Sequence, residues 1–92
     1  MRRRYRSQAG IIHDILLVLS REGPINSTRL AQLANLPYDR LRELLDRLVA
    51  EGLVETVEEG DRKLYRITPQ GLDALRKLQA AKEVLERLGY KF

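Results

Sequence analysis

Four of the first six residues are arginines: Arg2, Arg3, Arg4 and Arg6. A guanidinium is permanently charged, and its planar fork of donors matches phosphate oxygens in pairs. The chain holds 17 basic and 13 acidic residues, so these four account for the whole net charge of +4 and residues 7–92 are balanced. A short cationic arm ahead of a neutral body suits a polyanion or an anionic membrane surface; an arginine-rich solubilising end is the plainer alternative. Tyr5, between Arg4 and Arg6, could stack on a partner or dock on the protein itself.

Other chemistry is sparse. The chain has no cysteine, which removes disulfides, zinc–thiolate sites, iron–sulfur clusters and thiol catalysis together and fits a reducing compartment. The single histidine, His13, is followed by Asp14, expected to point elsewhere, and neither belongs to a set of ligands at metal spacing. There is no glycine-rich phosphate loop and no Ser-His-Asp order. The chain is therefore expected not to be an enzyme, to need no cofactor or metal, and to hold no evident small-molecule ligand. The longest apolar run, Ile15–Leu19, is too short to span a bilayer, and no signal peptide follows the basic start. A cytoplasmic location and no membrane partner are expected. Arginine far outnumbers lysine and the only methionine is Met1, a composition that hints at a hot environment.

The elements that would position any binding residues can be read from periodicity. Ile11, Ile12, Ile15, Leu16, Val18 and Leu19 recur at helical spacing and predict a helix over 7–21, with Ser7 as its cap and Gly23-Pro24 as its end. Ile25 is an isolated apolar residue, enough for a bridge of strand. Leu30, Ala31, Leu33 and Ala34 predict a short second helix after the cap residues Asn26, Ser27 and Thr28, with Thr28 the favoured N-cap. Asn35-Leu36-Pro37 interrupts it briefly. Leu41, Leu44, Leu45, Leu48 and Val49 form one face of a third helix closed by Gly52. Residues 53–57 and 64–67 then lean to strand around a turn at Glu58–Asp61, a β-hairpin. Thr68-Pro69 caps a fourth helix to about Leu88. The expected core is Ile15, Leu19, Leu33, Leu41, Leu44, Leu48, Leu53 and Tyr65.

Helix, bridge, helix, tight turn, helix and hairpin is the element order of a winged helix-turn-helix. The residues sharpen this. Leu30-Ala31-Gln32-Leu33-Ala34-Asn35-Leu36, followed by the run Leu41 to Val54 containing Leu44-Leu45-Asp46-Arg47-Leu48-Val49-Ala50-Glu51-Gly52, resembles the helix-turn-helix of MarR-type regulators. Asp61-Arg62 and Ile67-Thr68-Pro69-Gln70-Gly71 resemble that family's wing tip and post-wing signature. A basic start, one minimal winged helix and a single long last helix are similar to the archaeal "10a" family of small chromatin-associated proteins. The resemblance implies a mainly α fold with a small β-hairpin, double-stranded DNA as partner, a nucleoid-associated location, and a homodimer in which the last helices pair as an antiparallel coiled coil. The division expected is a basic arm at 1–6, a winged helix at 7–71 and a dimerisation helix at 72–92.

The third helix would offer its polar side to a major groove. Arg42 is the base-reading candidate, and Tyr38, Arg40 and Arg47 are candidates for phosphate; the resemblance points to the same stretch, since its matching positions from Pro37 to Glu43 supply such contacts. Asp39, Glu43 and Asp46 share that side, and Arg42–Asp46 and Glu43–Arg47 have the spacing of ion pairs on a plainly solvated helix. Weak base specificity follows. Ser27, Thr28 and Arg29 could hold one phosphate at the start of the second helix. Arg62, Lys63 and Arg66 could straddle a minor groove, although Glu55, Glu58, Glu59 and Asp61 surround them, and a hairpin that only closes the core is the alternative.

In the last helix, Leu72 and Leu75 are expected to pack on the winged helix. Leu78, Ala81, Leu85 and Leu88, continued by Phe92, follow the spacing of a dimer seam; a helix end folded back onto the first helix is the alternative. The leading reading is a dimeric DNA-binding protein with little sequence preference, chromatin-associated or a simple transcriptional regulator. A winged-helix module for protein assembly, without DNA, is the competing one. A steep salt dependence of binding separates them.

Overall fold

The computed structural model describes residues 6–92; the calls on Arg2, Arg3, Arg4 and Tyr5 lie outside the described residues. Helix α1 (Gln8–Glu22) starts where the Ser7 hydroxyl accepts from the Gly10 amide at 3.0 Å. It stops at Gly23, whose φ of 75° only a glycine adopts without strain. Ile25 then exchanges both backbone hydrogen bonds with Tyr65, the bridge expected of it. Helix α2 (Ser27–Ala34) is capped by Asn26, not Thr28: Asn26 is the last residue in extended backbone, and its side chain accepts from the Arg29 amide at 2.8 Å. Asn35, left-handed at φ 57°, ends the helix and starts the tight turn. Helix α3 (Tyr38–Ala50) follows Pro37 directly.

Strands β1 (Val54–Glu59) and β2 (Arg62–Ile67) form an antiparallel hairpin in which Glu58 opposes Lys63 and Glu59 opposes Arg62. The turn is therefore Gly60-Asp61 alone, shorter than the four residues expected, because opposite charges continue the pairing to a turn led by a glycine of positive φ. Helix α4 (Pro69–Arg87) is capped by Thr68, whose hydroxyl accepts from the Gly71 amide at 3.0 Å and donates to the Gly52 carbonyl at 2.6 Å. Gly71 lies so close to the Leu53 carbonyl and the Ile67 side chain that a Cβ there would collide with both.

Helix α1 is the hub, packed by α2, by α4 and by β2. Its Ile15, Leu16 and Leu19 meet Leu30, Leu41, Leu45, Val54 and Leu75 in a core without polar side chains at its centre. Two expected core residues are displaced. On the short α2 the inward stripe is Leu30, Ala31 and Ala34, which turns Leu33 to the flank, 37% exposed. Val54 rather than Leu53 is the buried residue at the start of β1, since strand side chains alternate and Leu53 is only half-buried.

The last helix also differs from its expected packing. Gly71 and Leu75 face the core and Leu78 leans on it, which leaves Leu72 39% exposed. The five seam residues differ in burial within the single chain. Leu78, Leu85 and Phe92 are half-buried within the chain, whereas Ala81 and Leu88 are exposed together with Val84. Phe92 belongs to a tail that returns to α1, the alternative raised for this end of the chain. Its backbone oxygen accepts from the Ser7 amide at 3.4 Å, and Gly10 provides the room. The Phe92 ring meets His13 edge-on at 5.9 Å. His13 is buried, and its Nδ1 lies 3.0 Å from Asp14 Oδ1, so Asp14 turns towards the histidine rather than away.

Candidate nucleic-acid interface

The helix-turn-helix brings the first turns of α2 and α3 together, and three side chains meet there. The Tyr38 hydroxyl accepts from the Ser27 hydroxyl at 3.2 Å and from Arg42 Nη1 at 3.3 Å, and the Arg42 guanidinium lies 5.9 Å from the centre of the Tyr38 ring. Tyr38 precedes Arg42 by one helical turn, which is why the two stack, while Ser27 approaches from the neighbouring helix. The hydrogen bond from Ser27 first, and then that from Arg42, hold the Tyr38 phenol below its ordinary pKa. With both lone pairs of the phenol oxygen occupied, its own proton is left to donate outward. The same contact, together with the nearby Asp46 carboxylate, keeps Arg42 charged. Tyr38 and Arg42 are exposed and Ser27 is half-buried, so the cluster presents a donor and positive charge to solvent.

The sequence signalled each of these residues separately but not their junction, because Ser27 and Tyr38 meet only across the turn. The expected ion pairs of α3 do not form: neither Arg42–Asp46 nor Glu43–Arg47 closes within 4.0 Å, and Arg42 turns to Tyr38 instead. Asp39, Glu43, Asp46 and Arg47 line the exposed side of α3. Arg29 is exposed in the first turn of α2, and its amide is held by Asn26.

Other cations expected to contact DNA have partners within the chain. Arg40 is half-buried and hydrogen-bonds Gln8 of α1. Arg6 donates to Asp14 and to the last carbonyls of α2. In the hairpin, Arg66 pairs with Glu55 at 2.6 Å, Arg62 lies 3.8 Å from Glu59, and Lys63 extends over the Tyr65 ring. The three cations of the hairpin are thus engaged within it, beside four carboxylates, Glu55, Glu58, Glu59 and Asp61. An open groove between α2 and α3, lined by Ala31, Gln32, Leu36, Pro37 and Tyr38, adjoins the cluster.

Four helices, a tight turn between the second and third, and a two-stranded hairpin define a winged helix-turn-helix protein. The chain belongs to the winged helix-turn-helix family, whose model matches residues 5–86. It is similar to the solved structure of Sso10a-2, a DNA-binding protein from Sulfolobus solfataricus, at 30% identity and a TM-score of 0.81, over 90% of this chain and 85% of that one. It is also similar to the PcaV transcriptional regulator of Streptomyces coelicolor, at 26% identity and a TM-score of 0.70, over 75% of this chain and 51% of that one. A MarR-family transcriptional regulator from Silicibacter pomeroyi matches at 27% identity and a TM-score of 0.68, over 80% of this chain and 54% of its own. This chain thus spans about half the length of those two regulators. No curated protein matches its sequence. Among the described residues, no helix is long and apolar enough to cross a membrane.

Proposed function

We propose that this chain binds double-stranded DNA with little sequence preference, as a dimer, in a chromatin-associated or simple regulatory role. The observation that carries the reading is the Ser27–Tyr38–Arg42 cluster, in which two donors, one of them a cation, converge on one exposed phenol at the meeting of two helix starts. Such a cluster suits a backbone phosphate, which positions a protein without reading sequence. The three acidic residues on the exposed side of α3 oppose close approach to bases, which supports weak specificity. Similarity to a DNA-binding protein at 30% identity supports the same reading.

The dimer is inferred from α4. Ala81, Val84 and Leu88 lie on one exposed edge of the helix at three- and four-residue spacing, and a second copy running antiparallel would cover them. This edge replaces the seam that included Leu85 and Phe92. The hairpin, with no positive excess, favours one competing reading, a protein-assembly module.

Fluorescence anisotropy with genomic and random-sequence duplexes, across a salt series, decides between them. Arg2, Arg3 and Arg4 with Arg29 and Arg42 would neutralise about five phosphates per chain, so the log–log salt slope should be about −4 to −5 per chain. The duplexes should bind within about tenfold of one another, and Tyr38→Phe should weaken all of them alike. Absence of binding at low salt refutes the reading in favour of the assembly module.

A further inference from the structure

Helix α4 carries a repeat beside the one that packs on the core. Gln70, Ala74, Lys77, Ala81, Val84 and the cap residue Leu88 follow one another at alternating four- and three-residue spacing, so they lie along one stripe. Gly71, Leu75, Leu78 and Leu85, buried or half-buried, mark the neighbouring face. The two ends of the stripe differ in shape. At its C-terminal end Val84 and Leu88 stand out into solvent. At its N-terminal end lies an open groove lined by Leu53, Pro69, Gln70, Asp73, Ala74 and Lys77. Leu53 precedes β1, and its carbonyl accepts from the Thr68 amide at 3.1 Å, so the groove sits at the root of the hairpin, where it joins α4.

A leucine at one end and a groove at the other fit a second copy running antiparallel. With Leu88 opposite the partner's Gln70, four residues back along one helix and four forward along the other set Val84 opposite the partner's Ala74. Three more set Ala81 opposite the partner's Lys77, where the small side chain leaves room for the lysine stem. The spacing reads the same in both directions, so every contact occurs twice. This register also brings Asp73 level with the partner's Arg87; both are exposed, and Asp73 already holds Lys77 at 3.1 Å. A parallel pair would instead set Arg87 level with the partner's Arg87 and groove against groove. A register with Leu88 opposite the partner's Lys77 would leave the groove open and Arg87 away from Asp73.

We propose that the groove at the hairpin root is the seat of the partner's Leu88: each copy closes the other's groove between Leu53, Pro69 and Ala74, and an Asp73–Arg87 ion pair on each side fixes the register. The proposal rests on the dimer reading. It makes the groove a site that one chain lines and the other fills, which ties dimerisation to the base of the hairpin.

The test uses the full chain. Arg87→Glu and Asp73→Lys should each raise the dimer Kd about 3- to 10-fold in sedimentation equilibrium, because each sets like charges together twice. Mixed one to one, the two variants should regain the parental Kd, since only the heterodimer restores both opposite-charge pairs. Both positions are exposed, so the melting temperature of each monomer should stay that of the parent. The chain has no cysteine, so introduced thiols have only each other. In a glutathione buffer, Gln70→Cys mixed with Leu88→Cys should give a disulfide-linked heterodimer, and neither variant alone should cross-link. The proposal is overturned if the mixed charge variants associate no better than each does alone. It is equally overturned if Leu88→Cys cross-links to itself, the mark of a parallel pair, or bridges Lys77→Cys in preference to Gln70→Cys, the mark of the other register. A parent chain that stays monomeric refutes the dimer reading and the seat with it, whereas a dimer that fails these tests refutes the seat alone.

Discussion

Leu88→Glu should separate the proposed dimer into folded monomers. Leu88 is 67% exposed and Val84 47% exposed in the single chain. Full burial of a leucine contributes about 1.5–3 kcal/mol, so covering the exposed two-thirds of Leu88 contributes about 1–2 kcal/mol. A two-fold interface counts each residue twice, so the substitution removes about 2–4 kcal/mol from the dimer. That is about a 30- to 1,000-fold rise in the dimer Kd, before the cost of desolvating two new carboxylates. The monomer should be almost unaffected, because a surface change of this kind stays within about 0.5 kcal/mol. Leu85→Glu should behave differently: Leu85 is half-buried within its own chain, and the variant should lower the melting temperature as well. Sedimentation equilibrium over a concentration series, with thermal unfolding alongside, reads both effects. A parent chain that sediments at 10.7 kDa throughout refutes the reasoning, as does a dimer indifferent to Leu88→Glu.

Two further expectations concern stability. Leu44→Ala should cost about 2–5 kcal/mol in denaturant unfolding and Leu33→Ala less than about 1 kcal/mol, since only the first leaves a cavity in the core; equal costs would contradict the rotation of α2. Burial raises the Asp14 pKa, but the hydrogen bonds from Arg6 and His13 outweigh it and hold the group below its ordinary value of 3.8. Because the folded value is the lower one, the ionised carboxylate stabilises the fold above about pH 4, and that contribution disappears as pH falls through the folded value. Asp14→Asn should therefore be less stable than the parent near neutral pH, by up to about 1 kcal/mol for a part-exposed pair, with the gap closing as pH falls through the folded value; a gap independent of pH would refute the assignment.

The competing assembly-module reading and the DNA-binding reading share one scaffold, so they part at the surface. Charges in the hairpin oppose one another across strands, and four carboxylates against three cations leave it no positive excess to draw an incoming duplex. In the proposed DNA-binding reading, the attraction falls to the Tyr38 cluster and the arginines of the arm.

Elements and their order were legible in the sequence because each depends on local chemistry. Ser7 and Thr68 cap, Gly23 and Gly52 end helices, and the leucines of α3 repeat at helical spacing; such signals act within a few residues. The net charge and its location in the arm were likewise fixed by composition. Only the tertiary structure decided which way each short helix turns. On α2 a rotation of less than half a turn exchanges Leu33 for Leu30, and an eight-residue helix has too few apolar positions to specify that angle alone. On α4 both Leu85 and Leu88 fit an apolar repeat, and only the folded chain leaves Leu85 half-buried and Leu88 exposed. The meeting of Ser27 with Tyr38, and of Arg6 with Asp14 and the end of α2, was equally beyond the sequence. These partners lie 8 to 29 residues apart, and no periodicity relates them; they are neighbours because the core packs α2 on α1 and α3 on α2.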